Sequence, residues 1–461
     1  MVDTRQAPPE PEPEPAPRVQ PMSGVDTAWL RMDNEVNLMM IVGVWLLTPA
    51  ISLQALRDRL QCKLLQHERF GQRVVSDATG VHWQVDAHFD IRHHVVPVIL
   101  HALPGESPKR SLQRLCAELA VTPLDPQRPL WQFHLHQGYE GGSALIARVH
   151  HCIGDGIALM SVMKSITDGG ASPPQRSQRG LGAETPTHPH QPLMDGLDMA
   201  RSGLRAVNDV AALAFMADDS PTLLKGRHAG DLSGRKVVAW SEPMSLADVK
   251  TLGKGLGCTV NDVLLACVAG AIGGHLRSRA QDPAGKEIRA MVPVNLRSPD
   301  EAWQLGNHFG LAPLLMPVGI QNPVERVFAV RRRMDELKGS YQPLLAFGVL
   351  SATGLFAKPV QDVVLGLFAN KTTAVMSNVP GPAVPLKFCG STLRQALFWV
   401  PTSGHVGVGL SILSYGGGVQ FGLITDHKLC PEPQDIVDRF EPEFEKLMCL
   451  SLMLPWPGQD F

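Results

Sequence analysis

The sequence predicts an α/β (α+β) protein in two parts, and three observations point there. Runs with strand character and runs with helical apolar spacing are interspersed along the chain. At 461 residues it is long enough for two domains of ordinary size. Residues 172–190, SPPQRSQRGLGAETPTHPH, are rich in Pro, Ser, Arg, Gln and Gly and read as an internal linker. The division expected is a Pro-rich tail over 1–21, a first half over 22–171, a linker with a helical crossover over 172–234, and a second half over 235–461.

The tail carries PPEPEPEPAP, which cannot build a core and reads as extended and disordered. Ser23 or Asp26 then caps a short helix bearing Trp29 and Leu30. A strand is expected over 37–47 and a helix over 53–70, the latter from Leu53, Leu56, Leu60, Leu64 and Leu65. Strands are expected over 81–85 and 91–98, and a helix over 112–120. The prolines of PLDPQRPLW make a loop before a strand over 131–136. An apolar run, Ala144 to Ala147 and then Val149, reads as a buried strand, and Ile157, Leu159, Met160, Met163 and Ile166 follow at helical spacing.

Beyond the linker, 193–215 reads as helical, 235–240 as a strand and 246–254 as a helix. The apolar helix within 258–276 has Thr259 or Asn261 as its cap. Strands over 288–295 and 311–318 precede a helix over 323–338 that carries Arg331-Arg332-Arg333. That run reads first as a solvated face and second as a contact for phosphate groups. Residues 341–357 are uncharged but broken by Pro343 and two glycines, which suits a buried or interfacial helix better than a membrane span. A strand over 373–378 should stop at Pro380-Gly381-Pro382. A hairpin over 405–413 and 419–424 turns at Tyr415–Gly418, and an amphipathic helix over 436–450 closes the chain.

Hydrophobic residues make up 44% and charged residues 19%, which says globular, and a net charge of −2 gives no pull toward nucleic acid. The eight cysteines form no C-x-x-C pair and read as reduced thiols of a cytoplasmic protein. No signal peptide is visible. His134, His136, His188 and His190 lack metal-ligand spacing, so no metal is expected.

The chemistry concentrates in His150-His151-Cys152-Ile153-Gly154-Asp155-Gly156, at the strand-to-helix junction. Strand neighbours point to opposite faces, so one histidine at most faces a given pocket. Gly154 and Gly156 permit dihedrals or close approaches that a side chain blocks. A single general base on a rigid support, with a structural carboxylate, fits this pattern. His93-His94 is a second pair without the following Asp-Gly and reads as structural.

His-His-x-x-x-Asp-Gly is the signature of the CoA-dependent acyltransferase superfamily. Pro129-Leu130-Trp131, Asn261-Asp262 and Asn378-Val379-Pro380-Gly381-Pro382 resemble, in order and spacing, the further motifs of bacterial wax ester synthase/diacylglycerol acyltransferases. The resemblance implies two chloramphenicol-acetyltransferase-like halves, each a mixed sheet flanked by helices, with an active-site tunnel between them. It also implies His151 as general base, His150 as support and Asp155 as holder of the motif's shape. Asn261 and Asn378 would contact substrate, Pro129-Leu130-Trp131 reads either as a rigid turn with an aromatic plug or as a substrate contact, and Arg297, Asp262 and Gly381 would be structural. Arg297 is expected to pair with Asp155 across the halves. Gly306-Asn307 resembles another family position, and the Asp26–Leu30 segment resembles part of the tunnel wall.

The reaction implied is transfer of a long-chain acyl group from acyl-CoA to a long-chain alcohol or to diacylglycerol. No cofactor is implied, because the thioester is already activated. Peripheral contact with a membrane or lipid droplets follows from lipid substrates; monomer and homodimer both stay open. Three other readings remain at this stage. They are a condensation-type enzyme using a carrier-bound thioester, a short-chain O- or N-acyltransferase, and a non-catalytic lipid-binding homologue.

Overall fold

The computed structural model describes residues 19–171, 217–226, 231–298, 303–338 and 369–453, with 301 and isolated positions between 346 and 366. The linker expected over 172–190, the helical segment expected over 193–215 and most of 341–357 lie outside the described residues.

In the first half the order is β1 (Val19–Pro21), α1 (Gly24–Arg31), β2 (Met40–Thr48), α2 (Leu53–Lys63), β3 (Gln72–Asp77), β4 (Gly80–Val85), α3 (Ile91–His94), β5 (Val95–Pro97), α4 (Pro108–Ala120), β6 (Trp131–Tyr139), β7 (Gly142–His150) and α5 (Gly156–Ile166). The second half holds β8 (Lys236–Trp240), β9 (Met244–Ser245), β10 (Ile288–Asn295), β11 (Phe309–Met316), β12 (Ala374–Pro380), β13 (Lys387–Phe388), β14 (Ser391–Trp399), β15 (Val408–Tyr415) and β16 (Gly418–Asp426). Its helices are Leu246–Gly255, Val260–Ser278, Pro323–Lys338, Gln434–Val437 and Phe440–Ser451.

Three sheets result. A small one runs β1-β4-β3, the first large sheet runs β5-β6-β7-β2-β14-β13, and the second runs β11-β10-β12-β15-β16-β8 with β9 paired to β16. The Val260–Ser278 helix is buried along most of its length against the second sheet. Among the described residues no single helix is long and apolar enough to cross a membrane.

Several elements differ from expectation, each for a local reason. Val19–Pro21, expected within the tail, is a strand paired with β4, and the rest of that expected tail lies outside the described residues. Residues 91–98 open on a helical turn, since the Asp90 carboxylate accepts the Arg92 N–H at 2.9 Å and caps it. The helix expected over 53–70 stops at Lys63 and continues as two short 3-10 turns. The C-terminal helix breaks between Val437 and Phe440.

The largest difference is β14, a nine-residue strand that leaves the second half and pairs antiparallel with β2 in the first sheet. A register shift between Leu393 and Gln395 disrupts its alternation, which is why the segment does not read as a strand. The halves therefore do not divide cleanly at residue 235.

The register of the first sheet positions the site. Ile41, Gly43 and Trp45 of β2 lie opposite Val149, Ala147 and Leu145 of β7. Leu145 and Val149 pack with α1 and α5, whereas Ala144 and Ile146 pack on the other face with α4. The two histidines inherit this alternation.

Candidate active site

His150 is the last residue of β7 and shares the α4 face; His151 follows on the opposite face with Val149. The His151 N–H donates to the Met39 carbonyl at 2.7 Å, continuing the ladder with β2 past the strand's end. Its ring stacks on the Trp29 indole, with centroids 4.0 Å apart and planes 15° apart, and Phe309 lies 5.8 Å away. Its Nδ1 is buried without a hydrogen-bond partner. Burial pushes the His151 pKa down to about 4, against the upward pull of the Asp155 carboxylate, with His150 adding to the fall. The imidazole is therefore neutral at physiological pH and free to accept a proton.

His150 is held differently. The Cys152 N–H donates to its Nδ1 at 3.2 Å, so the ring's proton sits on Nε2. Nε2 lies 3.3 Å from Asp33 Oδ1, within ion-pair range but off the line of a hydrogen bond. Burial opposes charge on this ring, yet the Cys152 sulfur and the Asp33 carboxylate outweigh it and raise its pKa. A charged ring would forfeit the bond from Cys152. Asp33 also accepts the Met39 N–H at 2.6 Å, so one carboxylate braces both His150 and the strand that holds His151. Nothing in the sequence pattern singled out Asp33.

Asp155 is the N-cap of α5, and its Oδ1 accepts the Ala158 N–H at 3.0 Å. Both of its oxygens lie 2.5 Å from Arg297 Nη1, and Oδ2 also takes the His308 N–H at 3.0 Å. Arg297 Nη2 donates to the Gly306 carbonyl. A backbone bridge between Gly154 and Gly306 runs alongside. A second link uses Asn307, whose Nδ2 donates to the His151 carbonyl at 2.8 Å and to Asp26 Oδ1 at 2.9 Å. Asp26 is buried in α1 and also pairs with Arg69 at 3.0 Å. The motif is thus held from both halves of the chain.

The other expected site residues fall into two groups. Asn261 and Asn378 meet each other, Nδ2 of Asn378 donating to Oδ1 of Asn261 at 2.7 Å. The capping role goes to Thr259, which forms a capping box with the buried Asp262. Asn261 is therefore free of capping. Gly381 is structural: a Cβ there would stand 2.4 Å from the Ser414 carbonyl oxygen.

Pro129-Leu130-Trp131, for which the sequence left both packing and substrate contact open, is a packed segment here. Trp131 is 1% exposed, donates from its indole to the Phe70 carbonyl at 2.8 Å and stacks on His94. The Leu130 carbonyl accepts the His150 N–H at 3.0 Å, so the tripeptide supports the motif from beneath. The close approach expected at Gly156 is also absent: its φ is ordinary and a Cβ would meet only Val379, at 3.4 Å. His94 is a packed residue, bonded to the Trp131 carbonyl at 2.8 Å. The arginine run is divided, since Arg333 is engaged by Glu287 and the Leu315 carbonyl while Arg331 and Arg332 are exposed.

An apolar cavity, partly open to solvent, lies between the first sheet and α5. Ile41, Gly43, Ala147 and Val149 form its sheet wall, and Met160 and Met163 face them from α5. Gly156 and Val379 line it beside the histidine motif, and β14 contributes Ala396 to Phe398. The apolar lining suits a hydrocarbon chain.

Residues 22–264 match the wax ester synthase/diacylglycerol acyltransferase catalytic domain, and residues 305–448 match the C-terminal domain of the same family. A probable diacylglycerol O-acyltransferase of Mycobacterium tuberculosis, tgs1, is 26% identical over 422 residues, covering 87% of this chain and 89% of that protein. A second from the same organism, tgs2, is 26% identical over 390 residues, covering 80% and 83%. The wax ester synthase/diacylglycerol acyltransferase of Marinobacter aquaeolei VT8 superposes with a TM-score of 0.66 at 22% identity, covering 94% of this chain and 99% of that one. The condensation domain of the monacolin K polyketide synthase MokA gives 0.57 at 16% identity, covering 94% and 98%. Both superpositions speak to the fold.

Proposed function

The chain belongs to the wax ester synthase/diacylglycerol acyltransferase family, and on that premise we propose that it moves a long-chain acyl group from acyl-CoA to the hydroxyl of a long-chain alcohol or of diacylglycerol, with His151 as general base. The observation that carries this reading is a neutral, buried His151 on the same sheet face as the apolar cavity.

An alcohol is a poor nucleophile while protonated. As its oxygen attacks the thioester carbonyl carbon, the His151 imidazole takes the hydroxyl proton. The carbonyl oxygen becomes an oxyanion, and the amide of Asn261 is the side-chain donor we assign to it. Collapse of the tetrahedral intermediate expels the CoA thiolate, and the imidazolium returns its proton to the sulfur. The ester and free CoA leave, and His151 is neutral again. No acyl-enzyme, metal or redox cofactor enters this scheme. Trp29 covers one face of the ring and keeps water from it. Because both acceptors are lipids, peripheral contact with a membrane or lipid inclusion belongs to the same proposal.

The test is thiol release from palmitoyl-CoA by the purified protein, alone, with hexadecanol and with dioleoylglycerol, with lipid products identified in parallel. Acceptor-dependent release that vanishes in His151→Ala is expected. Release undiminished in that variant rejects His151 as the base.

A further inference from the structure

We infer that Gly43, with Ala147 beside it, sets the length of acyl chain that this enzyme takes; the inference rests on reading the apolar cavity as the acyl site. The cavity's sheet wall is built in rungs, because β2 and β7 pair in register. Ile41 and Val149 form the rung nearest the histidines, Gly43 and Ala147 the second, and Trp45 and Leu145 the third. The first and third rungs carry large side chains. The second is flanked by Phe133 on β6 and Phe398 on β14 but is hollow at its centre. Gly43 and Ala147 consequently remain partly exposed in the middle of a six-stranded sheet, facing Met160 and Met163 of α5 across open space.

Backbone geometry does not require glycine here. Gly43 has no positive φ, and a Cβ built on it would meet only the Leu397 carbonyl oxygen, at 3.6 Å. That is ordinary contact, and a strand accepts a β-branched or leucine side chain readily. What glycine provides is volume inside the cavity. The second rung lies four residues along β7 from His151, about 13 Å at 3.3 Å per residue. An extended saturated chain advances roughly 1.3 Å per carbon for bonds near 1.5 Å, so a thioester carbonyl at His151 would bring about its tenth carbon to this rung. Chains of eight carbons end before the hollow. Chains of sixteen must pass over it.

The experiment measures kcat/KM with octanoyl-, dodecanoyl- and palmitoyl-CoA and one common acceptor, for the native chain, Gly43→Leu, Gly43→Val and Ala147→Leu. The ratio of octanoyl to palmitoyl efficiency should rise at least about tenfold in Gly43→Leu, less in Gly43→Val, since even one methylene of misfit in an apolar pocket costs that much. Octanoyl transfer by the same sample reports that the variant is folded. The shift in melting temperature on adding palmitoyl- or octanoyl-CoA gives a readout that needs no turnover. Palmitoyl-CoA should stabilise the native protein and fail to stabilise Gly43→Leu. An unchanged efficiency ratio, or equal losses at all three chain lengths, overturns the inference. A native protein that transfers nothing, yet is stabilised by palmitoyl-CoA in a Gly43-dependent way, would reject the catalytic proposal and leave this one standing. If palmitoyl-CoA neither reacts with nor stabilises the native protein, both fall.

Discussion

Arg297 Nη1 lies 2.5 Å from each carboxylate oxygen of Asp155, a residue 142 positions earlier in the chain. Both side chains are almost wholly buried. Arg297→Ala would leave the Asp155 carboxylate without its counter-charge, a loss of about 3–5 kcal/mol for a buried pair broken from one side. Arg297→Lys keeps a charge but cannot reach both the carboxylate and the Gly306 carbonyl with one fork, so an intermediate loss is expected. Urea unfolding of the three proteins should rank them native, Lys, Ala. Acceptor-dependent thiol release should follow the same order, because the pair fixes the cap of α5 beside His151. An unfolding midpoint unmoved by Arg297→Ala is incompatible with this role.

The pH dependence of transfer follows from the environment of His151. As the proposed base, His151 works only when neutral, so kcat/KM should fall as pH falls through about 4, well below the 6.5 of a solvated imidazole. Burial is the main cause, and Trp29 supplies much of it by covering one ring face. Trp29→Leu admits water to that face, and the acid limb should move up toward 6.5. A purely structural role for Trp29 would lower activity at every pH without moving the limb. The measurement is a pH–rate profile of both proteins from pH 3.5 to roughly pH 8, with refolded controls at the acid end.

Asn261 offers a sharper division between binding and chemistry. Its oxygen accepts from Asn378, so its amide nitrogen is the end left for an oxyanion. The helix start is already satisfied by Thr259 and Asp262. Asn261→Leu should therefore lower kcat by about 10²–10³, the usual cost of one lost oxyanion donor, with little change in melting temperature. Asn378→Ala frees the Asn261 side chain to rotate and should have a smaller effect of the same kind. A change confined to KM in Asn261→Leu would assign the residue to substrate binding instead.

Much of the site was legible because it is local in sequence. His150, His151, Asp155 and Gly156 lie within seven residues, and strand alternation alone separates the two histidines. Strand and helix types in the core were legible for the same reason, since period-2 and period-3.6 patterns are carried by neighbours. The supports were harder to read. Asp33 and Asp26 are ordinary acidic residues near a helix, and only the fold brings Asp33 to His150 and Asp26 to Asn307. For Pro129-Leu130-Trp131 the residue types alone allow both a packed turn and a cavity wall, and only the fold shows the indole turned into the core. The crossing of β14 was hidden by its bulge and by a partner strand more than three hundred residues away. Gly43 carries no motif; its significance comes from the rung on which it sits.

Gly156 and Gly381 are both motif glycines, and the structure gives them opposite reasons to be glycine. At Gly381 a Cβ would collide with the Ser414 carbonyl oxygen at 2.4 Å, in backbone paired across β12 and β15. The Gly381 N–H donates to that same oxygen at 2.8 Å, so the two strands cannot separate without losing a buried bond. Gly381→Ala should cost about 1–3 kcal/mol, the range for overpacking a close contact. At Gly156 the backbone is helical, with only Val379 within reach of a Cβ, at 3.4 Å. Gly156→Ala restricts the unfolded chain without native strain and should leave stability equal or up to about 1 kcal/mol higher. Its methyl group instead enters the cavity beside His151 and should raise KM for acyl-CoA. Chemical unfolding of both variants, with KM measured alongside, separates the two roles. Equal destabilisation by both substitutions would mean that Gly156, too, is held by backbone contact.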